Sequence, residues 1–168
     1  MAETVYTIAP IPPDPAHTTY VEAGAVSFGI EYRLLDDAEL AANYQGADME
    51  KIREALRDKQ VEQVEDNGIS IHVVAAADGH EYLRFDAFDD DPHYHYVRPS
   101  GDHNHWISFD PVSGGDMLAF ALRSLRERLG PMLREAQGEE VAALLQPDQQ
   151  KPVIDEVERL AYEIRKRA

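Results

Sequence analysis

Cysteine is absent from the 168-residue sequence. The chain therefore has no disulfide framework, no thiolate metal site and no cysteine nucleophile. If the chain binds a metal ion, nitrogen and oxygen atoms must supply the ligands.

Basic residues are scarce as well. The sequence has 16 Lys and Arg residues against 32 Asp and Glu residues, which gives a net charge of −16. A protein of this charge repels the phosphates that a nucleic-acid-binding protein must attract. We therefore expect no nucleic-acid partner, and we interpret the acidic surface as a source of solubility.

Long apolar runs are also missing. No stretch of the sequence approaches the ~20 apolar residues that a membrane span needs. The first residues, MAETVYTIAPIPPDPAH, lack a basic segment followed by an apolar run. We therefore expect a cytoplasmic protein with no membrane partner.

The length is typical of one ordinary domain. The pattern of residues predicts a Pro-rich N-terminal arm at 1–20, a sheet with inserted helices at 24–110 and C-terminal helices at 114–168. Strands followed by helices are typical of the α+β class. We predict a single domain in which an antiparallel meander sheet has helices packed on one face.

Two stretches have the period of two that indicates strands with one buried face. Apolar and polar residues alternate from Val26 to Leu34. Further along, a three-residue loop that ends at Gly79 would pair Ile71 with Phe85 in a hairpin. The polar face of that hairpin would carry His72, Tyr82, Arg84 and Asp86.

Helix boundaries are marked by capping and proline residues. Asp36 followed by Glu39 resembles a capping box, and Asp116 precedes an apolar helical stripe as an N-cap would. Another helix should begin after Asp48. Pro152 fits the first turn of the last helix.

Four of the seven histidines lie in PHYHYVRPSGDHNH, as two His-x-His pairs. A loop formed by residues 99–101 would place His95 opposite His105 in a hairpin. Because residues two apart in a strand share a face, all four histidines would then point to one side of the sheet. They are His93, His95, His103 and His105.

The length of this loop decides the geometry. With a four-residue loop from Arg98 to Gly101, His93 and His95 would face away from His103 and His105. Pro, Ser and Gly suit the three-residue loop, so we predict the arrangement with four histidines on one face.

Opposed histidines of this kind can share a metal ion, since their Cβ atoms would be roughly 4.5–5.5 Å apart. Neutral imidazole suits a divalent transition metal such as Zn, Fe, Cu or Ni. Nearby carboxylates would complete the ligand set or orient the rings. The candidate carboxylates are Asp86, Asp89, Asp90, Asp91 and Asp102.

The stretch YLRFDAFDDDPHYHY, with GISIHVV before it, resembles a family of small bacterial proteins that carry an RFD-x-F…PHYHY signature. That family is classed as a domain of unknown function, so the resemblance implies relatives but no activity. The stretch is also loosely similar to small proteins of certain bacterial toxin and antitoxin pairs. Those proteins have the sequence R-Y-D-N. In this chain the corresponding aspartate, Asp86, is followed by Ala87 instead of asparagine.

Two hypotheses of function follow from the sequence. The first is a metal-binding protein with a four-histidine hairpin site, which would be a metalloenzyme if a small molecule reacts there. The alternative is a non-enzymatic interaction module, either a homodimer or a partner of the toxin and antitoxin type, in which the histidines are structural. Clustered histidines would also allow pH sensing.

Overall fold

The computed structural model describes residues 3–100 and 104–168. The strands are β1 Glu3–Tyr6, β2 Thr18–Ala23, β3 Val26–Asp36, β4 Glu65–Ala75, β5 Glu81–Phe88, β6 His93–Val97 and β7 Asn104–Ser108. The helices of the described ranges are α1 Asp37–Asn43, α2 Gly46–Asp58, α3 Pro111–Gly114, α4 Met117–Glu127, α5 Leu129–Glu135, α6 Glu139–Leu144 and α7 Pro147–Arg167.

All seven strands form one antiparallel sheet in the order β1-β7-β6-β5-β4-β3-β2. Strands β2 to β7 follow one another as a meander, and β1 pairs with β7 at the far edge. The predicted α+β class with an antiparallel meander sheet is confirmed. Within the described residues, no helix has both the length and the apolar character that crossing a membrane requires.

The main hydrophobic core lies between one face of the sheet and the C-terminal helices. Alternate residues of β3, β4 and β5 point into it, and the strongly apolar faces of α4 and α7 cover them. Burying each large apolar side chain stabilises the fold by about 1.5–3 kcal/mol. Fully buried members include Phe28, Ile71, Leu83, Phe85, Leu122 and Ile154.

The opposite face of the sheet is covered by the inserted helices and the N-terminal arm. A smaller apolar cluster forms there around Ile11, Leu40 and Val64, with Ile52 and Leu56 of α2 packed against it. Helices therefore lie over both faces of the sheet, whereas the sequence predicted helices on one face.

Three local predictions from the sequence are confirmed. Asp36 caps α1 by accepting a hydrogen bond from the Glu39 amide, and Asp116 caps α4 in the same way. In the first hairpin Ile71 lies opposite Phe85, as predicted.

Three local predictions are wrong. A β-bulge between Val73 and Val74 shifts the register, and Tyr82 consequently packs in the main core instead of joining the polar face. Helix α2 begins at Gly46, before Asp48. Helix α7 begins at Pro147, which takes the favourable first-turn position, so Pro152 lies inside the helix.

Gly68 in β4 gives a test of the strand packing beside the polar face. A Cβ atom there would lie 2.1 Å from the Ala87 carbonyl oxygen, whereas one on Gly46 would meet nothing within 4 Å. Both glycines have positive φ, +157° and +57°. We expect Gly46→Ala to lower the free energy of unfolding by about 1 kcal/mol and Gly68→Ala by about 3 kcal/mol. Urea unfolding followed by circular dichroism measures both, and equal losses would contradict this packing.

Candidate metal centre

Two neighbouring strands bring together Asp86, His93 and His95, which we call the Asp86 group. Asp86 of β5 lies directly opposite His93 of β6, and His95 is two residues further along β6. Since side chains alternate along a strand, all three project from the face that points away from the main core.

The polar atoms of the Asp86 group converge. The Nε2 atoms of His93 and His95 each lie 3.1 Å from Oδ2 of Asp86. The three ligand atoms lie within 4.8 Å of one another. Asp86 is 3% exposed and each histidine 6%, so bulk water contributes little to the solvation of the carboxylate.

The outer atoms of the group are fixed by hydrogen bonds. Nδ1 of His93 donates to the Asp91 carbonyl oxygen at 2.6 Å, and Nδ1 of His95 faces the amide oxygen of Asn104 at 2.7 Å. The Ser70 hydroxyl donates to Oδ1 of Asp86 at 2.5 Å. Both imidazoles therefore carry a proton on Nδ1 and direct Nε2 at the carboxylate, the arrangement found for metal-bound histidines.

The charge states of the group favour a proton or a metal ion between its histidines and its carboxylate. Burial alone would raise the pKa of Asp86, but the bonds with His93 and His95 outweigh it and hold that pKa well below its usual range. Burial lowers the pKa of His95 and favours its neutral form. The Nε2 lone pair of neutral His95 then faces a carboxylate oxygen, which is repulsive unless a proton or a metal ion lies between them.

The two separations between a histidine nitrogen and the Asp86 carboxylate suit a small divalent ion. Nitrogen and oxygen ligands lie about 2.0–2.2 Å from such an ion, and two ligands at right angles are then about 3 Å apart. The 3.1 Å separations between each Nε2 and Oδ2 of Asp86 agree with that spacing. The Asp86 group is therefore a candidate site for a metal ion.

A cavity of about 160 Å³ adjoins the group. The polar face of the sheet forms one wall, and α2 and the N-terminal arm form the others. Charged groups in its lining are Arg33, Lys59, Arg84, Asp86 and Asp91. Apolar side chains in its lining include Ile8, Ile11, Leu40, Ile52, Leu56 and Trp106.

Two arginines of the polar face hold the arm over this cavity. Arg84 donates to the Ile11 carbonyl oxygen at 2.6 Å, and Arg33 donates to the carbonyl oxygens of Ile11 and Pro12 at 3.4 and 3.3 Å. The arm is thus anchored through its backbone, and Ile11 is left to fill the apolar cluster below.

A second buried network lies beside the group. His72 is fully buried, and its two ring nitrogens face Glu81 and, at 2.8 Å, Glu31. Arg84 donates to Glu81 at 2.7 Å. Burial opposes the charged imidazole, but the two carboxylates outweigh it and raise the pKa of His72. Burial would raise the pKa of Glu81, whereas Arg84 and His72 lower it to about 2.

The predicted pairing of His95 with His105 is wrong. His95 lies opposite Trp106, and Tyr96 lies opposite His105. The register is one residue away from the prediction, so His105 points to the other face, where its Nδ1 lies 2.5 Å from Glu3. His105 therefore faces away from His93 and His95, as expected for a loop with an even number of residues.

The remaining predicted ligands have different positions. His103 and Asp102 lie outside the described residues. Asp89 and Asp90 are exposed, and the Asp90 amide donates to Asp66. Asp91 lines the cavity and contributes its carbonyl oxygen to His93, so it orients a ring and is not part of the converging group.

Sequence reasoning missed Ser70, Asn104 and Lys59. Ser70 and Asn104 hold the Asp86 group but lie 16 and 9 residues from their partners. Lys59 reaches the cavity from the end of α2. Only the alternation of β4 offered a signal, since it places Ser70 on the same face as the predicted His72.

The family model "Domain of unknown function (DUF7700)" matches residues 20–161. The chain belongs to this family. The matched range contains the Asp86 group and leaves out β1, and the predicted membership in a family of unknown function is confirmed. No curated protein and no solved structure gives a match.

Because both ring nitrogens of His72 face carboxylates, we predict that the stability of the fold depends on pH. Because the pKa of His72 is raised on folding, its contribution is complete below the unfolded value of about 6.5 and is lost as the pH rises through the folded value. His72→Gln removes one of the cations that pair with the buried carboxylates of Glu31 and Glu81 and should cost about 3 kcal/mol at roughly pH 6.

We expect the difference in unfolding free energy between wild type and His72→Gln to shrink from about pH 6 to about pH 9. Urea unfolding at several pH values measures this difference. His80→Gln, which alters a half-buried histidine whose Nε2 contacts the Val97 carbonyl oxygen, is the control. A difference that stays constant over the whole range would contradict a charged His72.

Proposed function

We propose that this chain holds one divalent transition-metal ion at Asp86, His93 and His95. We further propose that it uses this ion to transform a small molecule in the adjoining cavity. The observation that carries the proposal is the convergence of two Nε2 atoms on one buried carboxylate oxygen. The second support is that both Nδ1 atoms are occupied on the outer side.

Two imidazoles and one carboxylate favour Fe(II) or Zn(II) among the metals that the sequence suggested. Three protein ligands leave coordination positions for water or a substrate, as in non-haem Fe(II) oxygenases and catalytic zinc sites. Such an ion would supply Lewis-acid or redox chemistry. The open positions would face the cavity, since Asp86, His93 and His95 all line it.

A purely structural network is the competing explanation of the same contacts. In that case protons would lie between the histidines and Asp86, and no ion would be needed. The two explanations differ in a measurable property, which is stoichiometric metal binding that depends on these side chains.

We expect untagged wild-type protein to bind one Fe(II) or Zn(II) per chain, and His95→Ala to lose at least about a hundredfold in affinity. His105→Ala is the matched control because it removes a histidine of the same hairpin that points to the other face. It should bind metal as the wild type does. Isothermal titration calorimetry, with Fe(II) handled anaerobically, measures all three proteins.

Equal losses in His95→Ala and His105→Ala would exclude the Asp86 group as the site. Wild-type protein that binds neither ion would exclude the proposed function altogether. Elemental analysis of protein purified without chelator provides an independent reading of the stoichiometry.

Asn104 should tune this affinity without touching the ion. Its amide oxygen orients His95, and loss of such an outer hydrogen bond lowers metal affinity by about 10–100-fold. We expect that loss in Asn104→Ala and recovery in Asn104→Asp, which keeps an acceptor. An Asn104→Ala protein with wild-type affinity would contradict the positioning role.

A further inference from the structure

We infer that the cavity binds a small organic anion, with an apolar body about the size of benzene and one carboxylate that pairs with Lys59. This inference rests on the proposed function, because it takes the cavity beside the Asp86 group as the place where a substrate binds. It adds the chemical class of that substrate and a residue that selects it.

The position of Lys59 is fixed by its neighbours. Its backbone amide closes the end of α2 by donating to the Ala55 carbonyl oxygen at 3.2 Å. Its Nζ atom lies 3.1 Å from the centroid of the Trp106 ring. The His93 ring lies 4.8 Å from the same indole. Trp106 therefore contacts both the Lys59 ammonium group and His93 of the candidate metal site, and all three residues line the cavity.

The ammonium of Lys59 has hydrogen-bonding capacity left over. Its nearest carboxylate in the described residues is Asp91, at 4.0 Å, which is too long for a hydrogen bond. No hydrogen bond of Nζ is formed with any described residue. Its side chain is 32% exposed, so it can exchange water for an anion. The partial burial that lowers the pKa of Lys59 also strengthens its attraction for an anionic ligand.

The other cations of the cavity are already engaged. Arg84 pairs with Glu81 at 2.7 Å, and Arg33 pairs with Glu31 at 3.4 Å. Both arginines also hold the backbone of the arm. Lys59 is therefore the cation in the described lining whose donors remain available to a ligand.

The size and polarity of the cavity limit the rest of the ligand. An apolar cavity of about 150 Å³ holds a benzene molecule, and this one measures about 160 Å³. Ile52, Leu56 and Trp106 line it beside Lys59, and they would cover an aromatic ring or a branched aliphatic chain. A larger or highly hydroxylated molecule would leave polar groups unpaired against these side chains.

Benzoate and benzamide are the probes, since they share size and shape and differ in charge. We expect wild-type protein to bind benzoate more tightly than benzamide, in both metal-free and Zn(II)-loaded forms. Lys59→Met should weaken benzoate by about tenfold or more and leave benzamide unchanged. Lys59→Arg should retain the preference. Ligand-observed NMR titration measures all these affinities.

Lys151→Met is the control for the change in net charge. Lys151 is an exposed residue of α7, a helix that packs on the other face of the sheet, so its loss should not alter benzoate binding. Circular dichroism and a thermal melt establish that each variant is folded.

Three results would overturn the inference: no binding of either probe, equal affinity of wild type for both, or a preference for benzoate that survives in Lys59→Met. The third result would place the anion on the metal or on an arginine. Failure of the proposed function is a separate result. If the protein binds no metal, the metal-free form still tests whether benzoate binding depends on Lys59.

Discussion

The burial of the Asp86 carboxylate is the constraint on which the polar half of this structure depends. An ionised carboxylate with 3% exposure is tolerated only when other groups replace its water. Ser70, His93 and His95 take that role, and each is oriented by its own strand. These three contacts replace the water around the carboxylate, and the metal ion that we propose would add a cation to them.

The two faces of the sheet differ in the side chains that they bury. One face is apolar and packs against α4 and α7, which gives the fold a core that needs no charged group. The other face buries charges in pairs, with Glu31 and Glu81 around His72. Replacing buried ion pairs with apolar residues is often neutral or stabilising. Stability alone is therefore a poor explanation for the buried ion pairs beneath the N-terminal arm, and a functional site on this face explains them better.

The sequence predicted the local geometry well and the long-range geometry poorly. Alternation along a strand was enough to place His93 and His95 on one face, because the side-chain period of a strand is two. It was not enough to decide what lies opposite them, since a shift of one residue in the loop after Val97 exchanges the faces of the next strand. Lys59 gave no signal, because only the fold brings the end of α2 to Trp106.

The central claim is that the Asp86 group holds a metal ion, and a crystal grown with Zn(II) tests it most directly. An anomalous difference map recorded at the zinc absorption edge locates the ion without assumptions about the ligands. We predict one peak about 2.0–2.2 Å from Oδ2 of Asp86 and from Nε2 of His93 and of His95. A map without a peak there, or with its peak at His105 on the other face of the sheet, would contradict the account.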